Sequence, residues 1–467
     1  MIKSRAKSAI KAMAHQALSL AHDATHPEVL DFSDPGTGKT FVRIMGFAAR
    51  RAKRGGCALV LAPRSLLRAT WQADLAKFAP HLKPSVAVAA NREKAFAADA
   101  DIYITNHDAV NWLAKQKPPF FKKFSELIID ESPAYKHHTS LRSRSAYKIS
   151  KHFTQRKLMT ATPTSNGICD IWHQVMIADG GKRLGNSFYG FRNSVCTPKQ
   201  VARDANAIKW TDKDGAEEAV FGLLSDIVIR HAFDDCVDIP KTHTHTLPYY
   251  MTPKQQRMYD DMEQNQLLPL LTSTNTINAV HAASVATKLM QITSGAVYDA
   301  AGNYAVLDES RYEMLIDLAQ ERKHPFVLFF WRHQRDLLLQ HAKSRKMRVA
   351  YIDGTVDDDE RYAINLKYQR GEYDLLLGHP QSVAHGFTFT KGTSTIWAGP
   401  THNLEWFKQG SRRQARIGQT ERTEVLTVIA EGTREEEVYE LSLMPKNRRM
   451  SRLLELFELA THEAEAA

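Results

Sequence analysis

Val29-Leu-Asp-Phe32, Ser33, Asp34-Pro-Gly-Thr-Gly-Lys-Thr40 and Phe41-Val-Arg-Ile-Met-Gly-Phe-Ala-Ala49 form the stretch whose reading decides the fold. An apolar run, a glycine loop and a helical pattern follow one another directly, which predicts strand, loop and helix. Gly36 and Gly38 let the backbone curl until its N–H groups surround an anion, and the helix N-terminus adds positive potential. Lys39 puts an ammonium where β- and γ-phosphates would lie, and the Thr40 hydroxyl is a ligand for Mg²⁺. The motif departs from G-x-x-x-x-G-K-[ST] at its first position, which is Ser33.

Outward from the loop, residues 58–62, 102–105 and 127–130 read as buried parallel strands, with 157–160 a weaker member. Helical patterns such as 66–78 and 141–151 lie between them, so the alternation predicts an α/β fold with a doubly wound parallel sheet. The strand at 127–130 ends on Asp130-Glu131, at the carboxyl edge where open α/β sheets bind ligands. Asp130 suits a hold on Mg²⁺, and Glu131 suits orienting and deprotonating a water. The pattern restarts at 326–330, 349–353, 374–377, 395–397 and 425–429, which predicts a second α/β lobe. We therefore expect a first lobe over residues 1–240 with a helical insertion at 181–235. A second lobe is expected over 241–445 with a helical segment at 253–293, followed by a bracing helical tail over 446–467. Thr252-Pro-Lys254 marks a helix start with proline in the first turn.

A chain of 467 residues is long enough for two or three cores, and 43% hydrophobic with 24% charged residues is ordinary for a soluble protein. The net charge of +10 favours polyanions without naming one. Four widely spaced cysteines, with no C-x-x-C pair, argue against a disulfide framework or zinc site and fit a reducing compartment. There is no apolar run long enough to span a bilayer and no secretory signal, so we expect no membrane partner. His137-His138 and His243/His245 read as surface or loop histidines rather than metal ligands. Three basic clusters, around Arg50/Arg51, Arg142/Arg144 and Arg448/Arg449, are each either a nucleic-acid groove or a solvated helix face.

Read in order, these segments and several further motifs resemble the superfamily-two helicases, and within them the Swi/Snf-type double-stranded DNA translocases. Leu59-Val-Leu-Ala-Pro-Arg-Ser-Leu-Leu-Arg-Ala-Thr-Trp71 looks like "P-x-S-L-L-x-x-W", and Ile102-Tyr-Ile-Thr-Asn-His107 is similar to "V-I-T-S-Y". Thr160-Ala-Thr-Pro163 with Asn166-Gly167 matches "T-G-T-P-x-x-N". Gln409-Gly-Ser-Arg-Arg-Gln-Ala-Arg416-Ile-Gly-Gln419 is close to "Q-A-x-x-R-x-x-R-I-G-Q", and Ser382–Phe389 is a loose version of a glycine motif. The carboxylate motif carries Pro133 where the family has histidine, which bears on coupling between it and the Thr160 motif.

The resemblance implies two RecA-like lobes with ATP and Mg²⁺ between them. It gives cofactor binding to Gln16, which would read adenine, and to Gly36, Thr37, Gly38, Lys39, Thr40 and Gly386, with Thr40 and Asp130 holding the metal. Lys39, Asp130, Glu131, Arg413 and Arg416 would carry catalysis; the two arginines, three apart on a helix, would reach the γ-phosphate together. Thr160, Thr162 and Gln409 would couple nucleotide state to lobe movement. Arg64, Ser65 and Thr105 would touch the DNA backbone, with little sequence specificity. Trp71 is expected to be core packing. Implied outputs are branch migration, strand annealing or displacement of bound protein, by a compact monomeric enzyme of bacterial or phage type in the cytoplasm, or in the nucleus of a eukaryote. Two alternatives stay open: a strand-separating DNA or RNA helicase, and a nucleotide-gated DNA-binding scaffold with little turnover.

Overall fold

The computed structural model describes residues 11–200, 208–267, 276–383 and 387–466. Seven parallel strands build the first lobe: β1 (Glu28–Asp31), β2 (Cys57–Ala62), β3 (Pro84–Ala87), β4 (Ile102–Asn106), β5 (Phe124–Asp130), β6 (Gln155–Met159) and β9 (Val228–Ile229). A separate antiparallel hairpin, β7 (Cys196–Gln200) with β8 (Ile208–Asp212), lies between β6 and β9 in the chain. The sheet order is β3-β4-β2-β5-β6-β1-β9, which puts the carboxyl ends of β5, β6 and β1 side by side.

Both faces of this sheet are buried. On β2, Leu59 and Leu61 join one apolar cluster while Ala58, Val60 and Ala62 join another, so the strand reads as an unbroken hydrophobic run. The second sheet has the order β10-β17-β16-β13-β15-β14, again with parallel pairings. Its strands are β10 (Thr242–Tyr249), β13 (Phe326–Leu328), β14 (Val349–Ile352), β15 (Leu375–Gly378), β16 (Ser394–Trp397) and β17 (Thr423–Ala430), with a small hairpin of β11 (Ala296–Tyr298) and β12 (Tyr304–Val306) beside it. The two doubly wound lobes expected from the alternating pattern are present, and the chain leaves the first sheet after Ile229 and enters the second at Thr242.

The segment 181–235 is not a purely helical insertion. It holds the helices Phe188–Val195 and Ala216–Leu224, both strands of the β7–β8 hairpin, and β9, which adds an edge strand to the first sheet. The C-terminal helix Met444–Ala466 returns from the second lobe and packs on the first. Phe457 meets the rings of Phe32 at 5.9 Å and Phe221 at 5.5 Å, and Thr461 Oγ1 accepts from the Arg230 N–H at 3.2 Å. Among the described residues no helix is long and apolar enough to cross a membrane.

Two buried histidines make the fold acid-sensitive. His173 donates through Nδ1 to the Tyr135 carbonyl at 2.9 Å, and His333 sits between Ser294 Oγ at 2.9 Å and Tyr298 Oη at 3.2 Å. Burial pushes each imidazole down from 6.5 to about 4. Their folded pKa values are depressed, so the unfolded chain takes up protons first as pH falls through 6.5. Stability then drops until about pH 4, by roughly 3 kcal/mol for each histidine. Urea midpoints measured from pH 7 to 4.5 should fall, and His333→Gln should flatten that fall; an unchanged slope in the variant would remove His333 from the account.

Candidate active site

The loop after β1 is built as its sequence requires. Gly36 and Gly38 adopt φ of +92° and +89°, the left-handed region that favours glycine. A Cβ on Gly36 would meet the Phe233 ring at 2.8 Å, and one on Gly38 would collide with the Gln16 amide. Lys39 opens the helix Lys39–Arg54, and its Nζ donates to the carbonyls of Ser33 at 2.6 Å and Asp34 at 3.0 Å. Gln16 and His15 bind the loop from outside, both reaching the Thr37 carbonyl, at 3.2 and 2.7 Å. The Thr37 hydroxyl turns inward to the Asp34 carbonyl at 2.9 Å, so Thr37 shapes the loop rather than lining the cavity. Ser33, irregular in the motif, has a use: its Oγ accepts from the His231 N–H at 3.2 Å.

The two acids stand beside the loop. Asp130 accepts from the Trp71 indole N–H at 3.0 Å, which gives a fully buried core residue a second task that the sequence does not announce. Glu131 has φ +56°, a left-handed conformation uncommon outside glycine. Its carboxylate accepts from Thr160 Oγ1 at 3.2 Å in the first lobe and from Gln409 Nε2 at 3.0 Å in the second. Thr160 also accepts from the Thr162 N–H at 3.0 Å. These contacts bring the carboxylate, Thr160 and Gln409 segments together across the lobe boundary.

Arg413 and Arg416 do not lie on a helix. The helix Leu404–Ser411 ends before them, and residues 412–418 form turns and bends. The cause is pairing with the neighbouring segment: Phe389 N–H donates to the Arg413 carbonyl at 2.8 Å, and Arg413 Nη1 donates to the Phe387 carbonyl at 2.9 Å. Both guanidiniums nevertheless line the same cavity of about 550 Å³ as Gln16, Lys39, Asp130 and Glu131. Burial and the neighbouring Arg416 push Arg413 well below the usual guanidinium range, only partly opposed by Glu131. Burial likewise brings Arg416 to about 10. Such a cavity, with the buried Arg413, the half-buried Arg416, a lysine and a helix N-terminus, accommodates a polyanion, and the hydroxyl–carboxylate set of Thr40 and Asp130 suits a hard cation.

At the other end of the cavity, Phe41 and Phe78 meet edge-on at 4.9 Å beside Gln16. Gly386 lies outside the described residues, while its neighbour Thr388 lines the cavity. The scaffold behind the loop comes from a segment distant in sequence. Arg230 pairs with Asp34 at 3.0 Å, and Asp34 Oδ2 accepts from the Phe233 N–H at 3.1 Å.

A second cavity of about 630 Å³ crosses the lobes, lined by Arg64, Ser65 and Arg68 on one side and Arg361, Tyr362 and Phe387 on the other. Thr105 is not on this surface. It is fully buried, and its hydroxyl donates to the Ala87 carbonyl on β3 at 2.7 Å, so its side chain cannot touch a bound backbone. The basic clusters are largely engaged within the chain: Arg50 with Glu126, Arg51 with Asp101, Arg142 with Asp108, and Arg449 with Asp212. His138 stacks on Phe188 at 3.9 Å, and neither it nor His243 and His245 joins a metal-holding group among the described residues. All four cysteines are free, with Cys169 and Cys196 Sγ atoms 3.3 Å apart.

The chain is similar to putative protein p41 of Acyrthosiphon pisum secondary endosymbiont phage 1, at 26% identity over 82% of this chain and 84% of that protein. It is also similar to the uncharacterized ATP-dependent helicase MG018 of Mycoplasma genitalium, at 23% identity over 87% of this chain, and to the putative ATP-dependent helicase/translocase YwqA of Bacillus subtilis, at 22% over 92%. It spans only 38% and 47% of the length of those two. Among solved structures, the Sulfolobus solfataricus SWI2/SNF2 ATPase core in complex with dsDNA matches 97% of this chain and 95% of its own, at 20% identity and a TM-score of 0.44. The family described as SNF2-related domain matches residues 23–295, more than half of the 467, and the chain belongs to that family.

Proposed function

We propose that the chain is a DNA-stimulated ATPase that couples Mg-ATP hydrolysis to movement along double-stranded or branched DNA. One observation carries the reading: Glu131 is held at once by Thr160 of the first lobe and Gln409 of the second, in a cavity that also receives Arg413 and Arg416. Gln16 would bind the adenine edge, and the loop amides with Lys39 would hold the β- and γ-phosphates. Thr40 and Asp130 would hold Mg²⁺, which when bound neutralises phosphate charge. Glu131 takes a proton from the attacking water, and the arginines stabilise charge on the transferred phosphoryl group only when the lobes are together.

The track is read from the second cavity. Arg64, Ser65 and Arg68 of the first lobe face Arg361 and Tyr362 of the second, so a backbone lying on the basic first-lobe side, away from Asp357 and Asp359, would be gripped alternately as the lobes move. The net charge of +10, the ATP-dependent helicase name of the Mycoplasma relative and the helicase/translocase name of the Bacillus relative support the same reading. ATP turnover should rise severalfold with duplex or branched DNA and less with RNA, and this stimulation should weaken steeply as salt rises. Triplex displacement measured beside fork unwinding tests the output. Displacement of the third strand without fork separation is expected. Fork separation alone would favour a strand-separating helicase, and ATP binding without turnover would favour a scaffold.

A further inference from the structure

Gln174 is fully buried on the helix Ile171–Asp179 and touches none of the cavity, yet its side chain joins two segments that do. Its Oε1 accepts from Ser132 Oγ at 2.6 Å, and its Nε2 donates to the Pro163 carbonyl at 2.9 Å and to the Asp170 carbonyl at 2.9 Å. Ser132, also fully buried, directly follows Glu131; Pro163 directly follows Thr162. The next residue, Pro133, offers neither a polar side chain nor an N–H, so it can donate nothing across this gap. Lys136 makes a second crossing farther from the cavity, with Nζ donating to Ser165 Oγ at 3.0 Å and pairing with Asp170 at 3.3 Å.

We infer that Gln174 is the positioning residue that sets Glu131 against the Thr160–Thr162 turn, and that it transmits movement of that turn to the water-activating carboxylate. The inference rests on the proposed ATPase reading. Glu131 occupies a left-handed backbone conformation, which persists only where the surroundings over-determine it. Thr160 fixes its carboxylate and the Ser132–Gln174 bond fixes the peptide that follows, so the two together define where the carboxylate oxygens point. A displacement of Pro163 is passed through the rigid amide of Gln174 to Ser132, one residue from the acid.

The test uses the full chain with Gln174→Met, Gln174→Glu, Ser132→Ala and the Ser132→Ala/Gln174→Met double variant. Gln174→Met fills the space and removes both links. We expect kcat to fall about tenfold, as misplaced catalytic groups do, with KM for ATP nearly unchanged and fewer triplexes displaced per ATP. The double variant should be no slower than the slower single variant, because both remove one connection. In Gln174→Glu the ionised carboxylate still accepts from Ser132 but cannot donate to Pro163, whereas the protonated acid can do both. Burial raises the pKa of that acid, so turnover relative to wild type at the same pH should recover as pH is lowered from 8 to 6. Protonation also relieves the cost of burying the acid, so the folded fraction is measured by melting at each pH: recovery at a pH where the variant is already fully folded is expected, and recovery that only tracks the folded fraction would overturn the inference. Multiplicative losses in the double variant, wild-type coupling in Gln174→Met, or a Gln174→Glu ratio indifferent to pH would each overturn the inference while wild-type turnover left the ATPase reading standing. Absence of turnover in the wild type would overturn both.

Discussion

Replacing Glu131 by glutamine is expected to lower steady-state ATP turnover about 10²–10⁴-fold while leaving nucleotide binding and the fold in place. The geometry makes this a clean removal of a base. The amide oxygen of glutamine can still accept from Gln409 Nε2, and its NH₂ can donate to Thr160 Oγ1, so both bonds that hold the wild-type carboxylate, at 3.0 and 3.2 Å, keep an isosteric counterpart. Only the capacity to take a proton from water disappears. The charge change also matters nearby: among the described residues, Glu131 is the carboxylate that opposes the burial cost of both Arg413 and Arg416. Without it the cavity is more positive, so nucleotide should bind as tightly or more tightly. Single-turnover hydrolysis and binding of a fluorescent ATP analogue separate the two effects. Turnover within a few-fold of wild type would remove Glu131 from the role of base, and lost binding would show that the acid serves structure instead.

Local sequence made the ends of strands legible and left their supports hidden. The loop at 34–40 and the acids at 130–131 lie at the carboxyl ends of β1 and β5 because an apolar run followed by these residues is a local pattern. What needs two distant segments could not be read that way. Trp71 carries its indole to Asp130 through the tertiary packing of a helix on the sheet, and Arg230 reaches Asp34 from 196 positions away. β10 escaped notice because Thr242-His-Thr-His-Thr-Leu-Pro-Tyr249 is an exposed edge strand whose polar face lacks the hydrophobic pattern, and β9 is only two residues long. β3 begins on Pro84, a residue that tolerates an edge position but reads as a turn. The arginine pair is legible in its motif and its local structure is not: R-x-x-R fits one helix face, but Arg413 pairs with the Phe387–Phe389 segment outside the helix. Thr105 shows the converse, where a resemblance places a residue at the right strand end and the side chain points into the sheet.

Removing the Asp23 carboxylate should cost more stability than any other single change proposed for the chain, on the order of 3–5 kcal/mol. Asp23 is fully buried and contacts Arg43, Arg50 and Lys157; Arg43 also pairs with Asp31 at 3.2 Å and Arg50 with Glu126 at 2.8 Å. Three cations and three acids thus meet beneath the nucleotide loop, and burial raises the Glu126 pKa even against Arg50. Burial alone would raise the Asp23 pKa, but Arg43, Lys157 and Arg50 outweigh it and hold the acid below its usual range. Asp23→Asn leaves the shape and removes the charge, so two guanidiniums and an ammonium would face two acids in a dry interior. The first-lobe melting transition should fall by about 10 °C. Lys157 supplies an internal check through pH. Burial brings its ammonium down to about 8, with Asp23 pulling upward and the two arginines pulling downward. Its folded pKa lies below the unfolded value of 10.5, so wild-type stability gains from this group as pH rises between 8 and 10.5. Above pH 8 Lys157 is neutral in the native state and its attraction to Asp23 is already gone. The penalty of Asp23→Asn should therefore be smaller at pH 9 than at pH 7, and Asp23→Asn combined with Lys157→Met should recover part of the loss at pH 7. A loss under about 1 kcal/mol at pH 7 would mean that water reaches this network and that its charges behave as a surface cluster.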